Sequence, residues 1–208
     1  MTDTRFTIFL VDDDASVLKA LSRLLRTRGY EVQLFASSPA FLAEHDASIP
    51  GCAVFDVSMP GLDGLELQHA LTTGGSQRPV IFLTGKGDIP TSVRAMRAGA
   101  IDFLTKPVRD GDLLAAIARA EKDDASTRDR NAELKSINAR LARLTPRERE
   151  VMTHVITGRL NKQIAGDLGT VEKTVKVHRG RVMEKMGVRS VADLVRLAEK
   201  VGISGQGR

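Results

Sequence analysis

The chain has 208 residues, which allows one or two domains and a sizeable core. Its 42% hydrophobic content fits a water-soluble globular protein, and the lone Cys52 excludes an internal disulfide. No apolar run approaches the ~20 residues that cross a bilayer, and no signal-peptide pattern opens the chain, so a cytoplasmic location and no membrane contact are expected. The charge is unevenly spread. Residues 1–120 carry 12 Lys and Arg against 14 Asp and Glu, whereas residues 145–208 carry 13 against 7. A near-neutral front and a basic tail predict two domains, the second facing a polyanion.

The first 120 residues alternate between two periods. Short strands are expected at "FTIFLV" (6–11), "YEVQLF" (30–35), "CAVF" (52–55), "VIFL" (80–83) and "IDFL" (101–104). Several are almost wholly apolar, as central strands of a parallel sheet are. Cys52, among apolar neighbours, reads as a buried thiol. Helical patterns lie between the strands. The first places Val17, Leu21, Leu24 and Leu25 on one face and ends at Gly29. Ser38-Pro39 reads as an N-cap followed by Pro at the first helical position. Further helices are expected near 64–73, near 90–98 and from about 110. Five such units predict an α/β doubly wound domain of the flavodoxin-like type, with a five-stranded parallel sheet in the order 2-1-3-4-5.

Residues 112–144 contain neither Pro nor Gly and read as one long helix. Leu113, Ile117 and Ala120 form an apolar seam, as do Leu134, Ile137, Leu141 and Leu144. Between them the same phase holds Asp124, Thr127 and Asn131, so a solvated linker helix between domains is expected. From Thr145 the signals sharpen. "TPRE" is a capping box with Pro at the first position. Four helices follow, roughly 146–157, 161–167, 171–186 and 190–201, and the terminal "SGQGR" reads as disordered. The expected domains are therefore 1–120, a helical linker at 121–144, and an all-α four-helix domain at 145–208.

The acidic residues carry the first chemical signal. "FLVDDDAS" ends an apolar strand in three carboxylates. Asp14 is placed to start the following helix, while Asp12 and Asp13 end the first strand and Asp56 ends the third. With those strands adjacent, three carboxylates meet, and they cannot all stay ionised there without a cation. Oxygen-only ligands suit Mg²⁺ or Mn²⁺. Thr84 follows the fourth strand and Lys106 the fifth, aimed at the same place. A carboxylate nucleophile, a metal, an ammonium and a hydroxyl suit phosphoryl transfer onto aspartate.

"VDDD", "FDVSMPGLDG", "LTGKGD" and "DFLTKP" together resemble the receiver domain of two-component response regulators. The resemblance implies that Asp56 accepts phosphate from a sensor histidine kinase. It implies that Asp12, Asp13, Asp56 and the Ser58 main-chain carbonyl hold the metal. It further implies that Lys106 pairs with the phosphate, that the Lys106–Pro107 peptide is cis, and that Thr84 and Phe103 form a switch pair.

The basic tail carries the second signal. "NKQIAGDL" turns Ile164, Ala165 and Leu168 inward, and Gly169-Thr170 leads into "VEKTVKVHRGRVMEKMG". There Val171, Val175, His178 or Val182, and Met186 share a face, with Lys173, Lys176, Arg179 and Arg181 largely elsewhere. Such a helix-turn-helix fits a major groove. "LTPREREVM", "GxxNKxIA" and "TVKVH" resemble the DNA-binding domain of the NarL/FixJ (LuxR-type) regulators, the FixJ type above all. By this resemblance Lys176, Val177, Arg179 and Gly180 face base edges, and Asn161, Lys162, Lys173, Thr174 and Lys185 meet phosphates. Gly180 costs about 1 kcal/mol against Ala in a helix. The last helix, with Val191, Leu194, Val195 and Ala198 in one stripe, would pair two copies on DNA.

The expected function is that of a transcriptional response regulator and not an enzyme. Its expected partners are a sensor histidine kinase, double-stranded promoter DNA and a second copy on phosphorylation, with RNA polymerase a further candidate. Two alternatives are a phosphate-independent DNA-binding regulator and a Mg²⁺-dependent aspartyl-nucleophile phosphatase. The latter family usually puts its nucleophile in a D-x-D pattern after the first strand, whereas here the candidate nucleophile Asp56 follows the third strand and no substrate cap domain is evident.

Overall fold

A computed structural model describes residues 5–85 and 89–204. The chain forms two compact units, Met1–Arg128 and Asp129–Arg208. Residues 86–88, which include the end of "LTGKGD", and most of the terminal "SGQGR" lie outside the described residues.

The first unit alternates strand and helix. Its elements are β1 (Thr7–Val11), α1 (Ala15–Thr27), β2 (Glu31–Phe35), α2 (Ser38–Glu44), β3 (Gly51–Asp56), α3 (Gly64–Thr73), β4 (Val80–Thr84), α4 (Ile89–Arg97), β5 (Asp102–Thr105) and the start of α5 (Asp110–Ala142). The strands are parallel in the order β2-β1-β3-β4-β5. Every residue of β1, β3 and β4 is buried, because helices cover both faces of the central strands. One core, with Ile8, Leu10, Val54, Ile81 and Leu83 of the sheet, packs under α1 and α5. The opposite core, with Phe9, Phe41, Phe55, Leu67 and Phe82, packs under α2 and α3. Cys52 is fully buried, which pushes its thiol above the ordinary value.

Two local expectations need correction. The N-cap of α2 is Ser37, whose hydroxyl accepts from the Ala40 amide, so Ser38 is already helical. Ser38 is buried and its hydroxyl donates to the Leu62 carbonyl at 2.8 Å. Two adjacent serines both satisfy the cap rule, and only the tertiary partner separates them.

The second correction concerns the polar middle of the long helix. α5 runs unbroken for 33 residues. Asp124 is not solvated: it is 5% exposed, accepts from the Gly51 amide at 3.3 Å and holds Arg128 Nε at 2.7 Å. The Arg128 guanidinium then donates to the carbonyls of Ser48 at 2.9 Å and Ile49 at 2.7 Å. Arg78 donates to the Asp46 carbonyl at 2.8 Å and lies 4.0 Å over the Phe9 ring. Burial lowers its pKa to about 10, against the opposing pull of Asp124. Gly51 permits the close contact at this edge, since a Cβ there would meet the Thr7 carbonyl oxygen at 2.1 Å. The segment 121–144 is thus shared between two cores. Asp124 and Arg128 belong to the first, while Ile137, Leu141 and Leu144 belong to the second.

The second unit adds α6 (Pro146–Ile156), α7 (Asn161–Asp167), α8 (Glu172–Met186) and α9 (Val191–Lys200) to the last turns of α5. Val151, Val155, Ile164, Val175, Val182, Met186 and Leu194 fill its core. Val171 departs from the expected inner face. It is the N-cap of α8, ahead of the first helical turn, and is 64% exposed.

Asp124→Ala would leave Arg128 and the Gly51 amide without their shared acceptor, at a cost of about 2–3 kcal/mol. The exposed neighbour Asp123→Ala should change stability by less than about 0.5 kcal/mol. Urea unfolding of both variants measures the difference.

Candidate functional site

The carboxyl ends of β1 and β3 bring the acidic residues together. Carboxylate oxygens of Asp12, Asp13 and Asp56 lie within 4.8 Å of one another. Asp12 and Asp56 are buried and Asp13 is exposed. Asp12 also accepts from the Asp14 amide at 2.9 Å, and Asp14 caps α1 by accepting from the Ser16 amide at 2.8 Å. The triplet therefore divides its work, with two acids facing the pocket and the third starting a helix. Behind Asp56 the fit is tight. A Cβ at Gly64, the first residue of α3, would meet the Asp56 carbonyl oxygen at 2.3 Å. Glycine there lets α3 start against the strand end, and the Asp63–Glu66 capping box fixes that start.

Lys106 reaches this cluster from the end of β5. Its ammonium lies 2.6 Å from Asp12 Oδ2 and 3.1 Å from Asp56 Oδ1. The Lys106 amide donates to the Thr84 carbonyl at 2.7 Å, which ties the ends of β4 and β5. Burial alone would lower the Lys106 pKa, but the Asp12 and Asp56 hydrogen bonds and charges prevail and hold it above the ordinary lysine value. One ammonium against three carboxylates leaves a net negative, all-oxygen donor set, which fits a hard divalent cation. The Lys106–Pro107 peptide is cis. Thr84 is 1% exposed at the end of β4. Phe103 is half-buried on β5, its ring centroid 6.2 Å from that of Phe82. Ser58 is exposed in the β3–α3 loop, two residues past Asp56.

In the second unit α7 and α8 form the helix-turn-helix, joined through Gly169 at φ +60. Lys162, Lys173, Lys176, Val177, Gly180 and Arg181 are exposed, and Thr174 is half-buried. Arg179 Nη1 donates to Asn161 Oδ1 at 3.0 Å and ties the two helices together. A Cβ at Gly180 would meet nothing within 4 Å, so no contact inside the protein requires glycine there. His178 is half-buried, as expected of an inward-facing residue.

Lys185 does not join the exposed cations. Its ammonium sits 2.6 Å from the Glu148 carboxylate, which is 2% exposed. Lys185, expected to meet a DNA phosphate, is engaged by this carboxylate, which would be costly to bury without a cation. Glu148 also closes the Thr145 capping box. Its pKa is lowered by the Lys185 bond first and the Thr145 amide next. Other cations of this unit are likewise used internally. Arg147 donates to the Leu168 carbonyl at 2.6 Å, and Arg149 donates to the Leu141 carbonyl at 2.9 Å. Sequence reading identified the capping box but not these partners, which lie up to 37 residues apart.

Residues 8–118 match the response regulator receiver domain, and residues 142–198 match the LuxR family of bacterial regulatory proteins. The chain belongs to the two-component response regulators. It is 44% identical to nodulation protein W of Bradyrhizobium diazoefficiens over 201 residues, covering 97% of this chain and 88% of that protein. It is 42% identical to the transcriptional regulatory protein FixJ of the same organism, covering 96% and 98%. Among solved structures it is similar to the response regulator StyR, with a TM-score of 0.85, 45% identity and coverage of 94% and 99%. Full-length FixJ from B. japonicum gives a TM-score of 0.57 at 41% identity. This response regulator therefore couples a receiver to a LuxR-type DNA-binding domain. Its relatives are transcriptional regulators rather than enzymes, and none of these matches supports the phosphatase alternative. Among the described residues no helix is long and apolar enough to cross a membrane.

The Glu148–Lys185 pair has a defined pH signature. A carboxylate whose folded pKa lies below its ordinary 4.5 stabilises the fold above that value and loses the contribution as pH falls through the folded pKa. Lys185→Met should therefore lower the melting temperature at pH 7, by about 4–8 °C for each kcal/mol lost in a unit of this size. The gap from wild type should narrow only as the pH falls below 4.5 and through the folded pKa of Glu148. Calorimetry from pH 3 to 7 checks the sign.

Proposed function

We propose that Asp56 accepts a phosphoryl group from a sensor histidine kinase, and that the aspartyl phosphate promotes pairing of two copies and binding to promoter DNA. The observation that carries this reading is the Lys106 ammonium lodged between Asp12 and Asp56 within the three-carboxylate cluster. An Asp56 carboxylate oxygen attacks phosphorus, the phosphorus–nitrogen bond to the kinase histidine breaks, and an acyl phosphate forms. Asp12, Asp13, Asp56 and the Ser58 main-chain carbonyl would hold Mg²⁺ or Mn²⁺, which would supply positive charge against the phosphoryl oxygens. Lys106, charged at neutral pH, transfers its contact from the Asp56 carboxylate to the new phosphate. The Thr84 hydroxyl turns toward that phosphate and the Phe103 ring moves inward, remodelling the surface that includes α4 and β5.

In the second unit α8 is the recognition helix. Lys176, Val177, Arg179 and Gly180 face base edges, and the Asn161 bond to Arg179 orients the guanidinium. Lys162, Lys173 and Thr174 meet phosphates, which position the helix without specifying sequence. Pairing of two copies raises the effective concentration at a double half-site. The protein acts in the cytoplasm on promoter DNA, with RNA polymerase as a further partner.

Intact-mass spectrometry tests the acidic site. After incubation with Mg²⁺ and acetyl phosphate, wild type should gain one phosphate, and neither Asp56→Asn nor wild type without metal should gain any. An unchanged mass, repeated with a cognate kinase, would favour a regulator that binds DNA independently of phosphate. A second measurement addresses the interface. Lys162→Ala should weaken specific and random DNA alike and reduce the salt slope by roughly one, whereas Lys176→Ala should chiefly erode the specific-to-random ratio. Equal losses on both DNAs for both variants would refute this division of contacts.

A further inference from the structure

Among the described residues, five helix starts carry a polar cap. Asp14, Ser37, Asp63, Thr145 and Ser190 each accept a backbone N–H with the side chain. The two helices of the helix-turn-helix differ. Leu160 opens α7 and Val171 opens α8, and neither side chain makes a cap bond. Aliphatic residues are among the poorest N-caps, since they offer no acceptor to the first amides. Both side chains are also poorly covered. Leu160 is 68% exposed, Val171 64% and Val177 47%, and among the described residues these are the exposed large hydrophobics of the second unit.

Val171 is held in place by its backbone. It has φ −102 and ψ 151, and its carbonyl accepts from the amides of Thr174 at 3.0 Å and Val175 at 3.2 Å. Its β-branched side chain has little rotamer freedom. The exposed face of the same helix is net cationic, with Lys173, Lys176 and Arg181 exposed against Glu172 and Glu184. An apolar protein partner would have to desolvate those ammonium groups, whereas a polyanion pairs with them. The apolar group that duplex DNA presents in its major groove is the thymine C5-methyl. A recognition helix contacts base edges with its N-terminal residues. Leu160 opens the other helix, which in such folds crosses the backbone, where no methyl is offered.

We infer that Val171 is a specificity-determining residue of this regulator, reading the C5-methyl of a thymine from the N-cap of α8. The inference rests on α8 being the helix that reads DNA. At this position the chain forgoes a helix cap and gains an apolar probe.

Replacing thymine by uracil removes only that methyl group, so it isolates the contact. The full chain, with and without acetyl phosphate, is first used to select its binding sequence from random duplexes. Each thymine of the selected half-site is then changed to uracil in turn, and affinities are measured for wild type, Val171→Ala and Val171→Ser. Wild type should lose about five- to tenfold at one thymine, the low end of a base-pair mismatch. Both variants should bind the thymine and uracil duplexes equally. Val171→Ser should not lower the melting temperature, because serine supplies the missing cap. Its loss of discrimination is then not a folding defect. If wild type selects a sequence but no thymine distinguishes it from the variants, the Val171 contact is overturned and the DNA-reading role of α8 stands. If wild type selects no sequence, that role fails and the inference fails with it.

Discussion

The Lys106 ammonium lies between Asp12 and Asp56, in contact with both, and the organisation of the first unit follows from that arrangement. Three carboxylates converge at the ends of adjacent parallel strands, where low polarisability makes like charges expensive. Only a doubly wound sheet brings the ends of β1, β3 and β5 to one edge, because right-handed crossovers return every strand in the same direction. Gly64 then lets α3 press against the back of Asp56. After Lys106 the pocket keeps a net negative, all-oxygen donor set. An interaction that neutralises the resting site is thus also the one that phosphate would redirect.

In the second unit, net charge and outward charge differ. Its cations outnumber its acids, yet several are engaged by partners within the unit. Lys185 is paired with buried Glu148, while Arg147 and Arg149 donate to backbone carbonyls at helix ends. These contacts close the small core, and the exposed residues Lys162, Lys173, Lys176 and Arg181 remain for the polyanion. A helix that reads DNA needs both sets, since a rigid frame fixes the geometry that base-edge recognition requires.

The long helix α5 connects these two economies. Its first apolar seam enters the core under the sheet, and its last enters the core of the helical unit. Between them Asp124 and Arg128 fasten the helix to the segment ahead of β3 by capturing its backbone amide and carbonyls. A buried carboxylate persists there because an arginine and an amide satisfy it together. The first unit consequently extends to Arg128, ten residues beyond the end of the receiver match.

Much of this protein is determined by local sequence. Period-two and period-3.6 hydrophobic patterns set the strands and helices, and Asp, Ser and Thr with Pro or Glu set most helix starts. Strand-end positions were enough to bring Asp12, Asp13, Asp56, Thr84 and Lys106 to one place, because parallel topology dictates where strand ends meet. Pairings across long separations were decided only by tertiary structure. Glu148 with Lys185, Arg128 with the carbonyls of Ser48 and Ile49, and Ser38 with Leu62 join segments with no shared local signal. The same holds for Val171, whose helical phase points inward but whose place before the first turn leaves it exposed. Periodicity reports which face of a helix is apolar. Only the packed fold determines which polar groups lose their water, and each of those then needs a specific partner.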